Sequence, residues 1–261
     1  MELPIQISEM LPREPFFVLN DSGGKDSQAM RILLCGALRN RGISIQRDCI
    51  VVHAALGKVE WEGAMEHAQA GATAYGLGFM KAVAKRTLLQ MVEERHAKRP
   101  EVPSWPSASC RQCTSDLKRG PIRREVRRLT KFTNRRLVIN CIGERAQESP
   151  DRAKKPVLTL NKSLCTKSRE WWDWYPIHGL STAQVFQTIA DAGEKPHPAY
   201  ARGNERLSCV FCIFGSRNDL RNGAIARPEL YREYVAMERK TGYTMHVSRI
   251  SLPQLTGVEV A

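Results

Sequence analysis

The sequence comprises 261 residues, 42% hydrophobic and 26% charged, the proportions of a soluble globular protein long enough for one large α/β domain with a small appendage. It holds no run of about eighteen apolar residues, and its start, Met1-Glu2-Leu3-Pro4, lacks the basic residues and apolar core of a signal peptide, so a cytoplasmic protein without membrane contact is expected. The net charge of +13 favours a polyanionic partner, a nucleic acid or a highly phosphorylated small substrate, and eight cysteines in a reducing compartment argue against a disulfide framework.

Residues 1–15 are polar and proline-interrupted and read as an irregular lead-in. The apolar run Phe16-Phe17-Val18-Leu19 predicts a buried strand ending at Asn20, and residues 28–40 predict a helix closed by Gly42. Between them lies Ser22-Gly23-Gly24-Lys25-Asp26-Ser27. Two glycines let the backbone approach an anion closely. The loop amides and the positive end of the helix face the same point. Ser22 and Ser27 add hydroxyls and Lys25 a full charge, which makes a phosphate cradle. The string is neither the Walker loop nor Gly-x-Gly-x-x-Gly. It resembles the pyrophosphate loop (PP-loop) of ATP pyrophosphatases, which implies that the β- and γ-phosphates of ATP are held while the α-phosphorus is attacked.

Further along, Cys49–Ala54 predicts a second buried strand, 62–75 a helix, Phe79–Val83 a third strand and Leu88–Ala97 a helix that stops near Pro100. Residues 101–109 form a proline-broken loop that delivers Cys110 and Cys113. Pro121 opens a helix to about Thr133. Leu137–Gly143 is a strand, Arg169–Ile177 a fifth strand, and Ser181 caps a helix to Ala192. The Trp171–Trp174 cluster is most simply core. After Gly193 the pattern breaks; Cys209 and Cys212 follow, then a last helix over about Pro228–Lys240 and an irregular tail. Strands alternating with helices predict a Rossmann-like α/β fold, a parallel sheet with helices on both faces, plus a small Cys-bearing C-terminal element. The expected division is a nucleotide-binding domain over 1–195 and a C-terminal segment over 196–261 packed on it. Ligands in such sheets sit at the carboxyl ends of the strands, so the loop, His53 and Gly143-Glu144-Arg145 are expected to share one cleft. His53 there either contacts the nucleotide or is a satisfied core histidine.

Cys110-Arg-Gln-Cys113 and Cys209-Val-Phe-Cys212 are two Cys-x-x-Cys pairs far apart in the chain. Four such thiolates suit one metal centre, zinc or an iron–sulfur cluster; the alternative is four independent thiols or one redox pair. Cys35, Cys49 and Cys141 sit in apolar runs and behave as small hydrophobes.

Three further segments resemble one family. They are Cys113-Thr-Ser-Asp-Leu-Lys118-Arg-Gly-Pro121, Gly143-Glu144-Arg145-Ala-Gln-Glu148-Ser-Pro-Asp-Arg152 and Asn204-Glu-Arg206-Leu-Ser-Cys209-Val-Phe-Cys212. Together with the loop they resemble the phosphoadenylylsulfate reductase superfamily of adenine-nucleotide α hydrolases, most closely the branch containing the DNA phosphorothioation sulfurtransferase. The resemblance implies an adenine nucleotide in the cleft and, in cluster-bearing members, a [4Fe-4S] cluster on four cysteines, here Cys110, Cys113, Cys209 and Cys212. The intact loop and the absence of cysteine after Cys212 point away from sulfate reduction and toward ATP use.

The resulting expectation is adenylyl transfer with pyrophosphate release, supporting sulfur chemistry on nucleic acid. Lys25 offsets charge on the leaving pyrophosphate, and Asp26 orients the loop or helps hold Mg²⁺. Gly143 lines the nucleotide site. Lys118, Arg145, Arg152 and, by resemblance, Arg206 grip the anionic acceptor, with Glu148 orienting the arginines. Internal ion pairing is the alternative for Arg145 and Arg152. The basic segment Lys118–Arg136 is the nucleic-acid candidate, and its alternative is a solvated helix face. A sulfur donor protein is a further expected partner. Two rival readings remain: a sulfonucleotide reductase, and a non-catalytic nucleotide- and cluster-binding subunit of a nucleic-acid-modifying complex.

Overall fold

Six strands form one sheet in the computed structural model, which describes residues 1–259. In chain order they are β1 (Phe16–Asn20), β2 (Cys49–Ala55), β3 (Gly78–Val83), β4 (Leu137–Ile142), β5 (Leu158–Leu160) and β6 (Glu170–Trp174). Across the sheet the order is β3-β2-β1-β4-β6-β5. β1 runs parallel to β2 and β4, β4 runs parallel to β6, and β5 pairs antiparallel with β6. The principal helices are α1 (Ile5–Met10), α2 (Lys25–Arg39), α3 (Ala64–Ala74), α4 (Leu88–Lys98), α5 (Gly120–Phe132), α6 (Thr182–Asp191), α7 (Arg217–Ala226), α8 (Pro228–Thr241) and α9 (Leu252–Thr256). This is the expected Rossmann-like α/β class.

β1 is apolar at consecutive positions because both its faces are covered. Phe16 to Leu19 are all buried, and Phe17 and Leu19 join Met30, Leu34 and Leu38 of α2 in the main core. Ala29, on another side of α2, packs with Val185 and Ile189 of α6. The path from β1 runs out through β2 and β3, then returns to place β4 on the other side of β1. The β1/β4 boundary is therefore the topological switch point, where the loops leaving two adjacent parallel strands diverge and open a crevice.

Several elements differ from expectation. The lead-in is not irregular: Ile7 and Met10 bury in the core, and that burial holds α1 and the 3₁₀ turn Leu11–Arg13. The strand over Glu170–Trp174 is the sixth, because β5 precedes it; three residues are too few to reveal a period of two. The tail contains α9, and α7 precedes the expected last helix. Ser216 and Asp219 form a capping box at the start of α7, a signal present in the sequence. Trp171 and Trp174 are core, as expected.

Two compact units emerge. The first comprises residues 1–53, 63–81 and 123–197, and the second 54–62, 82–122 and 198–261. The second takes segments from the middle of the chain as well as its C-terminal part. Among the described residues no helix is long and apolar enough to cross a membrane.

Candidate nucleotide site and cysteine cluster

The loop after β1 is held from below. Asp21 is buried, its amide donates to Val52 O (3.0 Å), and its Oδ1 accepts from the Gly23 amide (2.9 Å) and Ser27 Oγ (2.8 Å). The Ser22 amide donates to Ser27 Oγ (3.1 Å). Gly23 has φ +74°, and a Cβ there would lie 2.2 Å from Ala64 O at the start of α3. Gly24 is the N-cap of α2, and no side chain caps that end. The first-turn amides of a fifteen-residue helix thus open onto the mouth of the loop, where the macrodipole favours an anion. Lys25 is buried there, with Nζ donating to Asp26 Oδ2 at 3.1 Å.

Gly143, following β4, packs directly on the helix start. A Cβ on it would meet the Asp26 carbonyl carbon and the Ser27 amide nitrogen, each at 3.1 Å. Arg145 then reaches across: its Nε donates to Asp26 Oδ1 (2.6 Å), Nη1 to Gln147 Oε1 (2.9 Å) and Leu180 O (3.2 Å), and Nη2 to Thr182 Oγ1 (3.2 Å). Arg145 is buried, so its fork ties β4, α6 and the loop together. Glu148 accepts from the Arg145 amide (2.9 Å) and pairs with Arg152, which also lies 3.8 Å from Glu144. His53 is fully buried, with Nδ1 2.8 Å from Asp21 O and its ring stacked near Phe79. The structure therefore brings Ser22–Ser27, His53, Gly143, Arg145, Glu148 and Arg152 together in the first unit.

Reading the sequence did not find the loop's foundation. Arg31, 1% exposed, lies one α2 face behind the loop. It pairs with Asp21 Oδ2 (3.3 Å) and Glu194 Oε2 (3.1 Å) and donates to Gly71 O (3.1 Å). Glu194 also accepts from Gln28 (2.8 Å). Gly71 makes room: a Cβ would sit 2.3 Å from the guanidinium. No local pattern links residues so far apart in the chain; Asp21, beside the glycines, was the one legible hint.

These pairs have a pH signature. Burial opposes ionisation of Glu194, but bonds from Gln28 and Arg31 outweigh it and hold the carboxyl below its usual 4.5. Asp48 is likewise penalised by burial yet held below 3.8 by Arg47 and Arg135. Both groups take up protons more readily in the unfolded chain, so their contribution to stability is complete above pH about 4.5 and drains away as the pH falls through the folded values. In chemical denaturation between pH 6 and 3, Glu194→Gln is expected to flatten the acid limb. An unchanged limb would mean that Glu194 does not titrate in step with folding.

The second unit holds Lys118, Arg206 and the four paired cysteines. The Cys209–Cys212 turn is anchored by its middle residues. The Val210 amide donates to Val59 O (2.9 Å), and Phe211 packs on Tyr231 and Tyr234. Lys118 stands on a π-helical stretch, Ser115–Arg119, that leads into α5. It shares one electrostatic neighbourhood with Cys209, Cys212 and Cys113, whose negative forms raise its pKa against the cost of burial. Burial pushes Cys209 up to about 11, with Lys118 pulling the other way.

The soft donor set suits a thiolate-bound metal. Its present arrangement does not: among the described residues no group of three or more His, Cys, Asp or Glu is placed to hold one. Cys110 is exposed, its Sγ 3.4 Å from Gln112 Oε1. The expected four-thiolate centre is therefore not assembled.

The phosphoadenosine phosphosulfate reductase domain family matches residues 17–214. An uncharacterised 37.8 kDa protein of Escherichia phage 186 is 29% identical over 137 residues, which cover 52% of this chain and 39% of that protein. Among solved structures, Candida glabrata FMN adenylyltransferase in complex with FMN and the ATP analogue AMPCPP superposes with TM-score 0.51 and 12% identity, over 79% of this chain and 59% of that one. Phosphoadenylyl-sulfate reductase from Candida auris, a phosphate complex, gives TM-score 0.48 and 12% identity over 78% and 85%.

Proposed function

Because the chain belongs to the phosphoadenosine phosphosulfate reductase domain family, we propose that its first unit binds ATP and that the protein catalyses adenylyl transfer with release of pyrophosphate. One observation carries this reading: the intact Ser22–Ser27 cradle, with Gly23 seated in the left-handed region against Ala64 and an uncapped helix start behind it. A nucleotide without β- and γ-phosphates has no need of such a cradle.

The residues act by holding and by charge. Amides at the start of α2 and the exposed Ser22 hydroxyl receive the outer phosphates, while Ser27 keeps its bond to Asp21 and holds the loop in shape. Lys25 turns from Asp26 to the leaving pyrophosphate and offsets the charge that develops on it. Asp26, gripped by Arg145, keeps the helix start in place and becomes available to Mg²⁺ when Lys25 turns away. An acceptor oxygen, in our reading on nucleic acid, attacks the α-phosphorus. The bond to the β-phosphate oxygen breaks, pyrophosphate leaves with the electron pair, and the acceptor carries AMP. A sulfur nucleophile from a donor protein then attacks the adenylated atom of the acceptor; the bond from that atom to the bridging oxygen breaks, and AMP leaves with that oxygen and the electron pair. Arg152 and Glu148 border the crevice where the acceptor enters; Lys118 and Arg206 are proposed as anion contacts within the second unit.

The four paired cysteines are proposed to bind a thiolate-held centre, a [4Fe-4S] cluster or alternatively zinc, once Cys110 turns inward. The two Cys-x-x-Cys pairs, Cys110–Cys113 and Cys209–Cys212, within one compact unit support that reading. No step is routed through the centre. Iron or zinc analysis of anaerobically purified protein and of Cys110→Ser decides it; metal-free protein from both would end the proposal.

The catalytic reading is tested with α-labelled ATP, single-stranded oligonucleotide and Mg²⁺. Pyrophosphate and transfer of the label to the oligonucleotide are expected, with Lys25→Ala about 100-fold slower or worse. ADP and phosphate as products would overturn adenylyl transfer. Sulfite released from a sulfonucleotide by added thioredoxin would replace it with reduction.

A further inference from the structure

Phe132 is the most exposed of the large apolar side chains, at 90%. It stands in the last turn of α5, and Asn134 in the left-handed conformation (φ 53°) ends that helix behind it. The Thr133 and Arg135 amides return to Leu129 O (2.8 Å) and Thr130 O (2.9 Å), so the end that carries Phe132 is tied down. α5 buries Val126 and Thr130 and turns Arg124, Arg127, Arg128, Lys131 and Phe132 outward. At helical spacing, Arg124, Arg128 and Phe132 form one exposed row, with Arg127 and Lys131 in the row beside it.

Between residues 123 and 136, seven Lys and Arg accompany a single carboxylate, Glu125. Glu125 pairs with Arg124 and Arg128, and Arg135 is taken by Asp48. Arg127, Lys131 and Arg136 make no ion pair among the described residues. Nearby, Arg169 is held by Leu164 O (3.0 Å) close enough to Arg127 that burial and like-charge repulsion both lower its pKa. An anion bound at this face would relieve the repulsion between Arg127 and Arg169. A solvated helix face explains scattered charge; it does not explain an aromatic ring in open water at the end of the row.

We propose that the outer face of α5, with Phe132 as a stacking platform and Arg127, Lys131, Arg136 and Arg169 as phosphate contacts, binds single-stranded nucleic acid. A ring on a row of cations matches a strand whose phosphates track the charges and whose unpaired base lies on the ring. A duplex meets the charges equally well but must unstack to reach Phe132, at a cost of a few kcal/mol per step. The surface therefore favours a single strand, which makes it the acceptor-docking face for the transfer proposed above. The inference rests on that reading for its purpose but not for its test.

The test is anisotropy titration of the full-length protein with a fluorescein-labelled twenty-nucleotide oligothymidylate and with a duplex of the same length. Tight, salt-sensitive binding of the single strand is expected. Phe132→Ala should weaken it about 10-fold or more, Phe132→Trp should preserve it, and duplex binding should change little in either. Arg127→Glu with Lys131→Glu should weaken both ligands and reduce the salt slope. These positions are exposed, so the variants fold, and circular dichroism verifies it. Lys25→Ala should bind the oligonucleotide normally, which separates this surface from the nucleotide site. Wild-type affinity in Phe132→Ala, equal Phe132 dependence for the duplex, or equally tight binding of polyglutamate would each overturn the proposal, the last in favour of an acidic protein partner.

Discussion

Gly23→Ala is expected to abolish nucleotide binding. The residue has φ +74°, where a Cβ adds about 1–3 kcal/mol of backbone strain by itself. The larger effect is steric. The new Cβ would lie 2.2 Å from Ala64 O and 2.9 Å from Ala64 C, and these are backbone atoms that cannot rotate away. Either the loop lifts off α3 or the start of α3 moves. Both break the bonds from the Gly23 amide and Ser27 Oγ to Asp21, so the cradle loses its floor. ATP affinity by calorimetry should fall at least about 100-fold, roughly 2.7 kcal/mol, while the core stays folded. Gly57→Ala is the control: it also has positive φ (+64°), but nothing lies within 4 Å of its Cβ position. It should bind ATP normally. Retained affinity in Gly23→Ala would mean that the loop is not the nucleotide's seat.

Arg31→Met is expected to give the greatest loss of stability. Its aliphatic volume is close to that of arginine, so the change removes charge rather than packing. Asp21 is then left buried without its counter-ion, while Glu194 keeps its bonds from Gln28 and Tyr75 and its partial exposure. Stranding a buried charge costs about 3–5 kcal/mol. Urea denaturation should show a loss of that size, together with weaker ATP binding through the released Asp21. Gly71→Ala should reproduce part of it, because the added methyl occupies the guanidinium's place. Glu194→Gln should be milder, since Arg31 keeps Asp21 and Gly71 O. Arg31→Met as stable as the parent would show that the ion network contributes nothing net.

Both variants bear on the same point. The cradle is preformed, and its shape is maintained from outside the motif. Arg145 illustrates this. As a candidate acceptor grip it has the right chemistry, but its fork is occupied by Asp26, Gln147, Leu180 and Thr182. Its effect on any reaction passes through Asp26 and the start of α2, and Arg145→Lys should raise the KM for ATP more than it lowers kcat.

What the sequence determined by itself was everything carried by neighbours along the chain. The strands β1, β2, β3 and β4, the long helices and the glycine loop follow from residue period, capping and the steric freedom of glycine, all of which act over a few residues. The family was legible for the same reason, since its motifs are contiguous. The tertiary structure decided which distant groups meet: the order of the sheet, the three-residue β5, the Arg31 junction between Asp21 and Glu194, and the occupation of Arg145. It also decided that Phe132 is left in water, whereas Trp171 and Trp174 of β6 are buried as the sequence led one to expect. A buried charge or an exposed ring is a property of the space around it, and that space is assembled from segments more than a hundred residues apart.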